Sequence, residues 1–324
     1  MESLCQVQGK PELYGLGIRV AFYLQWFGAI LAEYLEMADL SAVQLLGLLL
    51  SAATFVGLVV QLSMTTLQPA DVYIVLLLAA GIYLPLVPLY VWKAVTCFNR
   101  HWDPFRWPKE TVSPAIKGLN FVLLLAITSL SIWFWTTYVP GQDCSAYQYG
   151  FLFSPVSLGN TAYVASNAIL WILILVVCAG ILMVKAGFSF AFWADKRRRK
   201  KARRIHIQVV QDLTTFAKAA VVAVLTAAVE LTIVWNNIDG VNGVADVAQM
   251  IPLFVSGGIV VRAVLMHFVN RGTDEDSDSA ASSGDGQPPM ASGGIPPPPP
   301  TAHMNAQRKD NNRKTACYVS FDWK

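Results

Sequence analysis

Leu40 to Leu62 reads LSAVQLLGLLLSAATFVGLVVQL, 23 residues without an Asp, Glu, Lys or Arg. A helix rises about 1.5 Å per residue and a bilayer's hydrocarbon core is about 30 Å thick, so about 20 apolar residues suffice to cross it. Hydrocarbon offers a backbone no hydrogen-bonding partner, and a lone segment meets that demand only as a helix. This stretch therefore predicts a transmembrane helix. Comparable blocks lie at Ile18 to Leu35, Val72 to Trp92, Leu119 to Tyr138, Asn167 to Phe188, Phe216 to Trp235 and Val247 to Val269. The expected fold is all-α, a seven-transmembrane-helix bundle over 18–269, with an extracellular N-terminus (1–17) and a tail (270–324). Composition agrees: 55% of the residues are hydrophobic and 14% charged, against about 25% charged in soluble domains.

Arg19, Gln25 and Glu33 interrupt the first block, which leaves a helix lying in the interface as the alternative to a spanning one. Met1 to Lys10 has no basic region followed by an apolar stretch, so the first helix is expected to act as its own insertion signal.

Lys and Arg in short loops set orientation because they resist translocation. The third-to-fourth loop carries Lys93, Arg100, Arg106, Lys109 and Lys117, and the fifth-to-sixth carries Lys196 to Lys201 with Arg203 and Arg204. The loops at 63–71, 139–162 and 236–246 carry no Lys or Arg. Alternation then puts the N-terminus outside and the basic loops and tail in the cytoplasm, as suits the plasma membrane or secretory pathway. The run Lys196 to Arg204 reads as a positive-inside anchor with affinity for anionic lipid head groups, and a nucleic-acid role is not expected in a tethered loop.

Cys5 and Cys144 are the two cysteines expected outside, where an oxidising compartment would permit a disulfide pinning the N-terminus over the bundle; two free thiols are the alternative. Cys178 reads as a small core residue and Cys97 as a palmitoylation candidate. From Arg271 the chain turns to Asp, Glu, Ser, Gly and Pro, too polar to offset its ordering entropy, and is expected to be disordered. Within it, Pro296 to Pro300 favours a polyproline helix, either a stiff spacer or a target for a polyproline-reading domain.

Ionisable residues inside a span are costly and mark candidate sites. Arg19 and Glu230 lie at similar depths near the outer ends of the first and sixth helices, so they pair if those helices are neighbours. Arg262 lies deep in the seventh helix and can snorkel inward. Trp235, Asn236, Asn237 and Gln249 line the outer ends of the last two helices, Pro252 is expected to bend the seventh, and Gly257 and Gly258 permit close approach. Together these make the outer half of the bundle the candidate cavity.

Tyr14-Gly-Leu-Gly-Ile-Arg19, Tyr23-Leu-Gln-Trp26, Glu230-Leu-Thr, Trp235-Asn and Gln249-Met-Ile-Pro252 resemble a family of largely uncharacterised multi-pass membrane proteins of filamentous ascomycete fungi. The resemblance covers most of the helical region and supplies no substrate. It implies that Arg19, Gln25, Trp26, Glu230, Trp235, Asn236 and Gln249 form one site.

Three functions compete. The expected topology is that of a sensor, receptor-like or scaffold protein, although no Asp-Arg-Tyr follows the third helix and no Asn-Pro-x-x-Tyr ends the seventh. A retinal protein is excluded because Val247 to Val269 contains no Lys for a Schiff base. An ion channel or transporter would put Glu230 and Arg19 on the path; no repeat between halves supports a transporter. An enzyme is not expected: Gly-x-Ser-x-Gly, His-Glu-x-x-His and paired intramembrane Asp motifs are missing, and His101, His206, His267 and His303 are scattered. No cofactor is implied.

Overall fold

The computed structural model describes residues 8–35, 40–64, 67–95, 114–151, 153–185, 204–243, 249–262 and 264–266. Cys5, Cys97, the basic run from Lys196 to Arg203, the tail and its prolines Pro296 to Pro300 lie outside the described residues. The elements are α1 (Pro11–Tyr14), α2 (Leu16–Tyr34), α3 (Leu40–Met64), α4 (Pro69–Ala80), α5 (Val87–Val95), α6 (Pro114–Trp133), β1 (Tyr149–Phe151), β2 (Pro155–Ser157), α7 (Thr161–Lys185), α8 (Arg204–Trp235) and α9 (Gln249–Met266). Six segments, Pro11–Tyr34, Leu40–Met64, Ala115–Tyr138, Thr161–Ala179, Gln211–Trp235 and Gln249–Met266, are long and apolar enough to cross a membrane. The chain is a helical, membrane-embedded protein.

The third expected span, 72–92, is not one helix. Its two pieces, Pro69–Ala80 and Leu84–Trp92, are bent by 59°. Pro85 and Pro88 explain the break, since neither has an N–H to offer the carbonyl four residues earlier. A tighter turn replaces the lost bonds, with Leu86 N–H donating to Tyr83 O at 3.0 Å. At the break Gly81 lies under the Trp26 indole: a Cβ there would be 2.0 Å from Cζ2 of the ring.

Every residue of α4 except Leu77 is buried, which is what a helix apolar on all sides requires. It sits at the centre, packed by α3, α6 and α8. From α4 Tyr73 shares a hydrogen bond of 3.0 Å with Tyr163 of α7, and the Trp135 ring meets both edge-on, at 5.8 and 5.4 Å.

Side-chain pairs give the helix directions. Arg19 meets Glu230, and Glu33 meets Lys218 with Nζ 2.6 and 2.5 Å from its two oxygens, so α2 and α8 run antiparallel. Gly17 lies against Gln249 and Gly28 against Val260, where added Cβ atoms would come within 2.5 Å of Gln249 O and Val260 Cγ2. Both steps are 11 residues, about three turns, so α2 and α9 run parallel on one face. Pro252 falls in the first described turn of α9, and the helix continues through it to Met266. The bend expected there is found at Pro85 instead.

Besides helices the described residues include an antiparallel hairpin, β1 with β2, pairing Gly150 with Val156. It lies at the end of the bundle where α2 begins, called here the hairpin end.

Candidate functional site

Two polar clusters occupy the hairpin end. In the first, the Arg19 side chain is fully buried and the Glu230 side chain is 40% exposed. Arg19 Nη1 donates to Glu230 Oε2. Arg19 Nη2 donates to Asn242 Oδ1 at 2.9 Å and to Val241 O at 3.2 Å, and Tyr23 O–H donates to Glu230 Oε1 at 2.7 Å. Arg19 and Tyr23 are one turn apart on α2, so both reach the same carboxylate. A guanidinium in so dry a place is tolerable only when its charge and most of its N–H groups are matched. Nε is the atom left without a partner.

The chain around Arg19 holds the same loop. Leu16 N–H donates to Val241 O at 2.9 Å, Gln8 bridges to Asp239, and Gly9 lies so close that a Cβ would be 2.7 Å from Asp239 O. Gly15 precedes α2 and has no side chain to cap it. Gln249 of α9 supplies the acceptor instead, taking Gly17 N–H on Oε1 at 3.4 Å. The loop can reach back because α8 ends in a tight cap: Asn237 takes a left-handed φ of 45°, with Asn237 N–H on Val234 O (3.2 Å) and Ile238 N–H on Ile233 O (3.1 Å).

In the second cluster, Asp71 is buried at the start of α4 and accepts from Tyr14 O–H and from Gln68 N–H, the latter at 3.3 Å. Gln148, from the loop before β1, accepts from Ala70 N–H and donates to Gln68 Oε1, both at 2.9 Å. Tyr138 O–H donates to Leu67 O at 2.5 Å. Trp235 and Asn236 hold the hairpin itself. Phe151 stacks on Trp235 with centroids 6.0 Å apart, and the Asn236 amide binds both the N–H (2.9 Å) and the C=O (2.8 Å) of Tyr149.

The seven residues that the resemblance implies as one site are thus divided. Arg19, Glu230 and, through the first turn of α2, Gln249 belong to one cluster. Trp235 and Asn236 hold the hairpin, and Trp26 packs on Gly81. Gln25 lies deeper, buried, its Nε2 donating to Val43 O and its Oε1 without a partner. Arg262 is exposed, 13 residues beyond Gln249 along α9, about 20 Å away and remote from Arg19. Cys144 is disulfide-bonded and Cys178 is a buried free thiol. Gln249 fills space expected to be open: a Cβ on Gly15 would be 2.4 Å from its Cδ.

Sequence reasoning missed Tyr23, Asn242, Tyr14, Asp71 and Gln148 as members of these clusters. The spacing of Tyr23 from Arg19 was a readable signal; Asn242 and Gln148 lie in loops and carry none. Among the described residues no three His, Cys, Asp or Glu side chains are grouped to hold a metal ion. No protein-family model, curated protein or solved structure matches this chain.

Proposed function

We propose that this chain is a seven-crossing, receptor-like sensor or scaffold whose hairpin end faces outward and is held shut by the Arg19 and Glu230 cluster. Helix direction supports seven crossings. Antiparallel α2 and α8 require an even number of crossings between them, and parallel α2 and α9 an odd number. Both hold when α3, α6 and α7 cross and the bent α4 and α5 pair crosses once; a re-entrant pair would fail both. Tyr83, just past the break, bonds to Asn120 near the start of α6, which supports descent of the pair toward the opposite face. The absence of Lys and Arg at 139–162 and 236–246 supports the hairpin end being outside.

The observation that carries the sensor or scaffold reading is the complete burial of Arg19 beneath Glu230, Asn242 and Val241. A charge lining an ion path is wetted, whereas this one is sealed by the chain that it holds. The test is ion flux across proteoliposomes containing the wild-type protein or Glu230→Gln, with incorporation verified. Both are expected to be silent. Flux that depends on Glu230 overturns the reading and puts that carboxylate on a path.

A further inference from the structure

Phe153 is the most exposed large apolar side chain among the described residues, at 81%, in the turn between β1 and β2. Its φ is 58°, the left-handed region that a bulky side chain rarely enters. A floppy loop would relax from that conformation, but the strand leading into this one is held along its length. Asn236 fixes both backbone groups of Tyr149, Tyr163 O–H donates to Phe151 O at 3.1 Å, and Gly150 fits only because it has no side chain, a Cβ being 2.8 Å from Tyr163 Oη. The hairpin is a rigid mount and Phe153 is what it presents.

Its surroundings favour lipid over water or a charged partner. The Phe153 ring meets Phe151 at 5.5 Å, and Phe151 stacks on Trp235, the last residue of α8. Beside Trp235, Val234 is 65% exposed on the outside of the bundle, as a lipid-facing residue is. The aromatic tip therefore continues an apolar flank at the level where a spanning helix ends, the level that Trp and other amphipathic rings favour. The segment from Tyr147 to Asn160 carries no Asp, Glu, Lys or Arg, so nothing there needs the full hydration that would keep it off a membrane.

We propose that the β1 and β2 hairpin is a membrane-surface anchor whose tip, Phe153, lies among the lipid head groups of the leaflet at the hairpin end. This holds whether the chain senses or conducts. The test places a photo-reactive ring, Phe153→p-benzoylphenylalanine, in the full chain reconstituted in phosphatidylcholine vesicles, with Phe151→p-benzoylphenylalanine as the packed control. After irradiation, mass spectrometry of the fragment carrying position 153 should show a mass shift of one phospholipid, at least tenfold more abundant than at position 151. Cross-links to a second copy of the chain, an unreacted ketone, or equal lipid adducts at both positions each overturn the proposal. Because Phe153 projects from the fold, the probe does not depend on repacking.

Discussion

Arg19 and Glu230 should be unequal partners, and the inequality follows from burial. The Arg19 side chain has no exposed surface, while Glu230 keeps 40% of its own. Glu230→Met strands a buried guanidinium; breaking a buried pair this way costs about 3–5 kcal/mol, and the remaining acceptors, Asn242 and Val241 O, put it near about 3 kcal/mol. Arg19→Met leaves a carboxylate that can hydrate and still accepts from Tyr23, so its cost is mainly the lost bonds to the 241–242 loop, about 2 kcal/mol. Replacing both removes the mismatch, because an apolar pair of similar volume is often neutral against a buried ion pair. The double variant should then lose about 2–3 kcal/mol, giving a coupling of about 2–3 kcal/mol. Thermal unfolding in detergent reads this as roughly 2–4 °C per kcal/mol for a chain of this size. Losses that simply add, or a costlier Arg19→Met, would refute the reasoning.

Glycine substitutions on α2 should separate a backbone contact from a side-chain one. Gly17→Ala drives a Cβ to 2.5 Å from the backbone O of Gln249 and should cost about 1–3 kcal/mol; Gly28→Ala meets the Val260 side chain, so Val260→Ala should recover its loss and leave that of Gly17→Ala unchanged, and failure to do so in the same unfolding assay would argue against the parallel α2 and α9 contact. Asn236→Ala removes both hydrogen bonds to Tyr149 and should cost about 1–2 kcal/mol while speeding proteolysis within 142–160 several-fold; an unchanged cleavage rate would mean the hairpin is held by other contacts. Cys144 is disulfide-bonded, and non-reducing peptide mapping should recover it joined to Cys5, with Cys5→Ser leaving a free thiol at Cys144; recovery with Cys97 or Cys317 would reject that pairing.

What was legible in the sequence follows from which physical demands are local. A spanning helix must satisfy its own backbone in hydrocarbon, so blocks such as Leu40 to Leu62 announce themselves by length alone. The broken third span was also written there, as Pro85 and Pro88, but an apolar run averaged over 72–92 conceals two missing N–H groups. Arg19 and Glu230 could be matched by depth because both lie in spans of countable length. Asn242 and Gln148 act from loops, where partners are chosen by tertiary approach, and nothing in their neighbours announces that. The hairpin was hidden for a related reason. Its pairing, Tyr149 with Ser157 and Phe151 with Pro155, does not alternate apolar and polar residues, since it rests on the end of α8 and not on a core of its own.

The loop from Ile238 to Asn242 is where these contacts converge. It bridges to Gln8 at Asp239 and accepts from Leu16 and Arg19 at Val241 and from Arg19 again at Asn242, while its entry is fixed by the cap on α8. Residues 8–19 and the loop from Ile238 to Asn242 are therefore joined into one unit. A ligand that drew Glu230 away from Arg19 would leave a buried cation whose remaining partners are this loop, so the loop and the start of α2 would have to move together. Gln249 extends that unit to α9 through Gly17. α2 and α9 meet at Gly17 with Gln249 and again three turns on at Gly28 with Val260, so a displacement of Gln249 would be passed along both helices. Along α8 the same displacement would act on the second ion pair with α2, Lys218 with Glu33, 12 residues from Glu230. That pair is part-buried, the Lys218 side chain 13% and the Glu33 side chain 45% exposed, and it ties α2 to α8 away from the hairpin end.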